Sequence, residues 1–122
     1  MPRILLVDDD EAFRKMLHKT LERAGYEVQD APNGRAALAA YSQQPSDLII
    51  TDLVMPEKEG IETIMELCRL HAGVKIIAMS GGGRMRPKSN LEMAERLGAK
   101  ATLAKPFSQQ QMLDTIKRVL GG

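Results

Sequence analysis

The sequence predicts an α/β fold built on a doubly wound, five-stranded parallel sheet, and three observations carry that expectation. Short runs rich in β-branched residues and leucine recur five times along the chain, amphipathic stretches with three- and four-residue spacing fill the intervals, and the links between them are short. Strands alternating with helices through short links lie parallel, cross over in the right-handed sense and carry helices on both faces. The 122 residues are expected to form one domain, 1–122, with no linker, repeat or low-complexity stretch. A chain of that length buries roughly two thirds of its unfolded surface.

Arg3-Ile4-Leu5-Leu6-Val7 is the first strand and stops abruptly at Asp8-Asp9-Asp10. Phe13, Met16, Leu17, Thr20, Leu21 and Ala24 then mark one face of a helix, which Gly25 ends as a left-handed cap. Tyr26 to Asp30 alternates in polarity, the pattern of a half-exposed edge strand. Pro32-Asn33-Gly34 is a turn in which Asn33 can cap an alanine-rich helix reaching Tyr41. Leu48-Ile49-Ile50-Thr51-Asp52 is an apolar run bounded by breakers, as in a strand covered on both faces, and Pro56 forbids its continuation.

Beyond the polar Glu57-Lys58-Glu59-Gly60, the residues Ile61, Ile64, Met65, Leu67 and Cys68 outline a helix closed by Gly73. Val74 to Met79 is the fourth strand, ending at Ser80-Gly81-Gly82-Gly83. A loop with Arg84, Arg86, Pro87 and Lys88 leads to a helix carrying Leu91, Ala94 and Leu97, capped by Gly98. Ala101 to Ala104 is the fifth strand, followed at once by Lys105-Pro106-Phe107. Ser108 and Gln111 form a capping box for a last helix whose apolar face is Met112, Leu113, Ile116, Val119 and Leu120.

Composition narrows the function. A net charge of +1 gives no electrostatic reason to bind nucleic acid or a membrane surface. No apolar run approaches the roughly 20 residues that span a bilayer, and the first residues lack a signal-peptide core, so a cytoplasmic protein is expected. The lone Cys68 excludes an internal disulfide and a multi-cysteine zinc site. With no Trp, two Tyr and two Phe, the chain is poorly equipped to stack on bases. His18 lies off the apolar face of its helix and His71 near a helix end, so neither reads as a metal ligand or phosphodonor.

Parallel strands place all their carboxyl ends on one edge, where open α/β sheets hold their chemistry. Asp8, Asp9 and Asp10 follow the first strand, Asp52 closes the third, Ser80 follows the fourth and Lys105 the fifth. Carboxylates about 4 Å apart repel by roughly 4 kcal/mol at an effective dielectric near 20, so a cluster of them is tolerable only with raised pKa values or a bound cation. An all-oxygen set without imidazole or thiolate points to Mg²⁺. Lys105 and Ser80 would serve a phosphoryl oxygen as cation and hydroxyl donor. An aspartate can itself be the nucleophile that forms an aspartyl-phosphate, and Asp52 is the natural candidate. The plainer readings are helix capping for the three aspartates, a turn hydroxyl for Ser80, a flexible loop for Gly81-Gly82-Gly83 and a solvated loop for Arg84, Arg86 and Lys88.

With these residues in place, the whole chain resembles the receiver domains of bacterial two-component response regulators. The resemblance rests on Leu6-Val7-Asp8-Asp9, Asp52-Leu53-Val54-Met55-Pro56, Ser80 and Lys105-Pro106-Phe107, in this order at strand ends. It implies a flavodoxin- or CheY-like (βα)5 fold with strand order 2-1-3-4-5. It further implies that Asp52 accepts a phosphoryl group from a histidine kinase or His phosphotransfer protein. Asp9, Asp52 and the Val54 carbonyl would hold Mg²⁺ directly, and Asp8 largely through a water. Lys105 would pair with Asp52 and then with the phosphate, Ser80 would move to bond a phosphate oxygen, and the Lys105–Pro106 bond would be cis. A stand-alone monomer or weak dimer is expected. It would catalyse only its own phosphorylation and dephosphorylation, and signal to a downstream protein through the surface of the fourth helix, fifth strand and fifth helix.

The departures from the family are specific. Thr102 stands where the family usually has Tyr or Phe, so the usual hydroxyl–aromatic coupling has no aromatic member here. The segment from Ser80 to Lys105 is a few residues longer than usual. Val54 and Gly82 occupy positions that modulate dephosphorylation, and neither side chain can orient a water, which implies unaided self-dephosphorylation.

Three other classes compete. A Mg²⁺-dependent phosphatase of the haloacid dehalogenase type needs a second Asp two residues after the nucleophile. Asp52 has Val54 there, while Asp8 and Asp10 have the spacing without the usual following Thr, since residue 12 is Ala12. A flavodoxin-type module would meet three aspartates where the flavin phosphate should sit. A receiver used only as a scaffold would have no need of Asp8, Asp9, Asp52, Ser80 and Lys105 together.

Overall fold

The computed structural model describes residues 2–53, 59–80, 92 and 94–121. Five strands, β1 (Arg3–Val7), β2 (Glu27–Ala31), β3 (Leu48–Asp52), β4 (Ile76–Ser80) and β5 (Ala101–Ala104), form one sheet in the order β2-β1-β3-β4-β5. Every neighbouring pair is parallel. The helices α1 (Glu11–Arg23), α2 (Gly34–Gln43) and α3 (Glu59–Leu70) occupy the first three crossovers. Residues 94–97 are helical and belong to α4, and α5 (Gln109–Gly121) follows β5. The doubly wound sheet and its order therefore agree with the expectation.

The sheet is buried on both sides by two separate cores, because successive residues of a strand face opposite ways. Leu5, Val7, Ile49, Ile76 and Ala78 pack with Ala37 and Tyr41 of α2, Ile64 and Leu67 of α3 and Ala94 of α4. Ile4, Leu6, Leu48, Ile50, Ile77, Met79, Ala101 and Leu103 pack with Leu17 and Leu21 of α1 and Met112, Ile116 and Val119 of α5. Reversal of the winding at β1 leaves a crevice between the carboxyl ends of β1 and β3, the usual place for a ligand in such sheets.

Local signals set the helix ends. Asp10 caps α1 by accepting from Phe13 N at 3.1 Å, and Asn33 caps α2 by accepting from Ala36 N at 2.8 Å. Ser108 and Gln111 satisfy each other's amides at 3.0 and 2.9 Å, the reciprocal box anticipated for α5. Gly25 follows α1 at φ +98°, a conformation that costs a residue with a Cβ.

Some details differ from the sequence reading. β2 runs one residue later, to Ala31, which is buried against α2, and β4 runs from Ile76 through Ser80 rather than from Val74. Met16 and Met65 are about half exposed, at 51% and 52%, although their spacing put them on apolar faces. Leu17 and Leu21 take the sheet-facing stripe of α1, and Ile64 and Leu67 that of α3, so each methionine is turned to the flank. Val54, Pro56, the Gly81-Gly82-Gly83 run and the basic loop with Arg84, Arg86 and Lys88 lie outside the described residues.

Candidate functional site

Strand alternation positions the site. Asp8 continues the series Ile4–Leu6 and Asp52 the series Leu48–Ile50, both of which face α1 and α5. Lys105 does the same for Ala101–Leu103. The three groups converge from three strands on one face at one edge, and their sequence separations are large. The Lys105 ammonium lies 3.1 Å from Asp8 Oδ2 and 3.4 Å from Asp52 Oδ2. Asp8 is fully buried and Asp52 nearly so, whereas Asp9 is exposed.

Asp8, Asp9 and Asp52 each offer a carboxylate oxygen, and these atoms all lie within 4.8 Å of one another. Unit charges at that spacing repel by about 3 kcal/mol at an effective dielectric near 20. Three carboxylates facing one ammonium leave an excess of negative charge. A donor set made only of oxygens, with Asp9 open to solvent, fits a hard divalent cation that keeps some of its waters.

The backbone of the β1–α1 loop is held from several sides. Asp8 N donates to the Ala31 carbonyl at 3.3 Å, and Asp8 Oδ1 accepts from Asp10 N at 2.9 Å. Arg14, largely buried, donates from Nη1 to the Asp8 carbonyl at 2.5 Å and lies 3.6 Å from Asp30 Oδ2. Asp30 in turn holds His18 Nδ1 at 2.6 Å, with Glu22 at 3.3 Å from the other ring nitrogen. The hydrogen bond to Asp30 raises the His18 pKa, partial burial opposes it, and the charges of Asp30 and Glu22 add to the rise.

Ser80 ends β4 with its hydroxyl fully buried and, among the described residues, without a hydrogen-bond partner. Its carbonyl accepts from Lys105 N at 2.8 Å, which ties the backbones of the two residues together. Ala78 pairs with Thr102 and Ser80 with Ala104, so Ser80 and half-buried Thr102 share the sheet face covered by α3 and α4. That is the face opposite Asp52 and Lys105. The Lys105–Pro106 peptide is cis. Cys68 lies away from these residues against Gly98, and burial raises its thiol pKa, leaving it a poor nucleophile.

Three contacts escaped the sequence reading: the pairing of Lys105 with Asp8, the Arg14 clasp on the Asp8 carbonyl, and the placement of Lys105 over the Phe13 ring at 4.1 Å. The α1 contacts had a signal in helical spacing, since Phe13 and Arg14 fall one turn beyond the acidic run. Val54, expected to lend its carbonyl, lies outside the described residues.

A five-stranded sheet of this order, with clustered aspartates and a lysine at its carboxyl edge, is the architecture of receiver-type signalling domains, and the chain belongs to the response regulator receiver domain family, whose profile matches residues 4–117. Receiver domains act in two-component signalling rather than metabolism. They interact with histidine kinases or phosphotransfer proteins and with effectors, and generally bind Mg²⁺ at an acidic cluster.

Among its relatives, the chain is 35% identical over 118 residues to the chemotaxis protein CheY of Thermotoga maritima, covering 96% of each. It is 34% identical over 122 residues to the response regulator receiver protein CpdR of Brucella abortus, covering 98% of each. In structure it is similar to a CheY-like receiver domain protein from Methanospirillum hungatei, with a TM-score of 0.89 and 31% identity over 99% of this chain and 94% of that one. No helix among the described residues is long and apolar enough to cross a membrane.

Proposed function

We propose that this chain is a phosphorylation-dependent receiver in which Asp52 accepts a phosphoryl group with Mg²⁺ bound at Asp8, Asp9 and Asp52. The observation that carries the reading is the Lys105 ammonium lying within 3.4 Å of both Asp8 and Asp52, with Asp9 completing the acidic cluster. When bound, the metal supplies charge neutralisation for the transferring phosphoryl oxygens. In the transfer, an Asp52 carboxylate oxygen forms a bond to phosphorus as the bond from phosphorus to the donor imidazole nitrogen breaks. The electron pair goes to that nitrogen, which takes up a proton from solvent. Lys105 is placed to hold the incoming phosphate by charge.

The Ser80 hydroxyl, buried without a partner among the described residues, supports its role as the group that turns toward a phosphate oxygen, since a buried donor without an acceptor gains by finding one. Thr102 shares its face and takes the place of the reporting side chain, and Pro106 would serve as the structural residue beside Lys105. The phosphorylated form would signal from the surface of α4, β5 and α5 to a downstream protein in the cytoplasm, as a monomer or weak dimer. Hydrolysis of the aspartyl-phosphate would proceed without side-chain help from Val54 or Gly82.

Both Asp8 carboxylate oxygens are engaged, one by Asp10 N and one by Lys105. Intact mass after incubation with acetyl phosphate and Mg²⁺ tests the assignment. One phosphoryl adduct is expected on the wild type and none on Asp52→Asn. No adduct on the wild type, or equal adducts on both, would overturn it.

A further inference from the structure

The Lys105 ammonium has a third neighbour besides its two carboxylates. It lies over the face of the Phe13 ring, 4.1 Å from the centroid. Phe13 occupies the first turn of α1, three residues after the Asp10 cap, and is half-buried beside the core under that helix. Phe107, two residues beyond Lys105, braces the ring at an interplanar angle of 79° with centroids 6.2 Å apart, an edge-on aromatic contact. The ring's negative face thus takes one side of an ammonium whose other sides meet Asp8 at 3.1 Å and Asp52 at 3.4 Å. An ammonium has three donors on a flexible four-carbon stem, and water would otherwise compete for the one that the carboxylates leave.

We propose that Phe13, backed by Phe107, is a positioning residue for phosphoryl transfer: its π face holds the Lys105 ammonium between Asp8 and Asp52 before a phosphodonor arrives. The proposal rests on the receiver reading for its kinetic consequence, but the placement of Lys105 is measurable without it. A lysine already confined near both carboxylates loses little further freedom when phosphate replaces one of its partners. A lysine that swings into solvent must be recaptured during each transfer.

The test separates π attraction from packing. Ring-fluorinated phenylalanines incorporated at residue 13 keep its shape while draining the face of negative charge, and Phe13→Leu keeps an apolar side chain without a π face. The initial rate of phosphorylation by acetyl phosphate at saturating Mg²⁺ is expected to fall stepwise with fluorination and about five-fold in Phe13→Leu. Phe13→Trp, with the stronger π face, is expected to restore the rate. In Mg²⁺-free protein, the Lys105 ε-methylene protons are expected to show an upfield ring-current shift that Phe13→Leu abolishes. Thermal unfolding of each variant checks that it is folded. A rate insensitive to fluorination and to Phe13→Leu, or Lys105 resonances at solvent-exposed values in the wild type, would overturn the proposal. A wild type that takes no phosphoryl group but shows the Lys105 shift would overturn the receiver chemistry and leave the placement of the lysine standing.

Discussion

Lys105 and Asp8 meet at 3.1 Å across 97 positions of sequence, and the pair joins the end of β5 to the acidic loop after β1. The geometry makes one ammonium the counter-ion of two buried carboxylates, while Asp9, exposed and within 4.8 Å of them, adds to the excess negative charge.

Relief of that excess gives the first expected outcome. Asp9→Asn should raise the thermal midpoint in EDTA by roughly 3 °C, a small gain because Asp9 is solvated. Mg²⁺ is expected to stabilise the wild type through preferential binding to the folded state, and the same change should remove that gain. Thermal scans with EDTA and with millimolar Mg²⁺ measure both, and a lower midpoint in EDTA would refute the charge argument.

Ser80→Ala should separate resting stability from switching. The hydroxyl is buried without a partner among the described residues, so its removal is expected to leave the unphosphorylated protein as stable or up to about 1 kcal/mol more stable. The extra stability gained on forming a phosphoryl or fluoroberyllate adduct should shrink. Urea unfolding with and without fluoroberyllate reads both quantities, and a destabilised resting variant would show that Ser80 has a structural partner.

His18 confers a pH dependence whose sign is set by its raised pKa, caused first by the hydrogen bond to Asp30. Protonated His18 binds its partners more strongly in the folded state. Its contribution is therefore complete below the unfolded value near 6.5 and disappears as the pH rises through the higher folded value. The difference in thermal midpoint between wild type and His18→Gln should be largest near pH 5.5 and vanish in mildly alkaline buffer. A difference that grows with pH would reverse the assignment.

Gly98 and Cys68 should be energetically coupled. A Cβ at Gly98 would fall 2.7 Å from Cys68 Sγ, and the backbone there has φ +122°. Gly98→Ala is expected to cost about 2 kcal/mol in all, from backbone strain and the clash together. In a Cys68→Ala background only the backbone component should remain, giving a coupling of about 1 kcal/mol in a double-mutant cycle by urea unfolding. Simple additivity would show that the thiol moves aside without cost.

How much of this was legible beforehand depends on the range of the interaction. Caps at Asp10 and Asn33 and the box at Ser108 and Gln111 are local, and their residue types announce them. The convergence of Asp8, Asp52 and Lys105 also followed from the sequence, because parallel strands share an edge. Their face did not: it depends on where each strand begins its alternation and on which helices cover that side. The strand order came from a family resemblance, since periodicity carries no information on which strands adjoin. Met16 and Met65 show the same limit for helices, where spacing marks an apolar arc wider than the part the sheet covers. Thr102 departs from the family pattern in the sequence alone, yet its shared face with Ser80 follows only from the β4–β5 register.

The edge position of β5 also bears on how the protein is made. Synthesis delivers Asp8, Asp9 and Asp52 well before Lys105, so a chain emerged only through β4 carries the carboxylates without their lysine. The site gains its ammonium only when β5 docks beside β4 and Lys105 N finds the Ser80 carbonyl. A protein truncated or frayed at its last strand would therefore carry the clustered carboxylates without the ammonium that bridges Asp8 and Asp52.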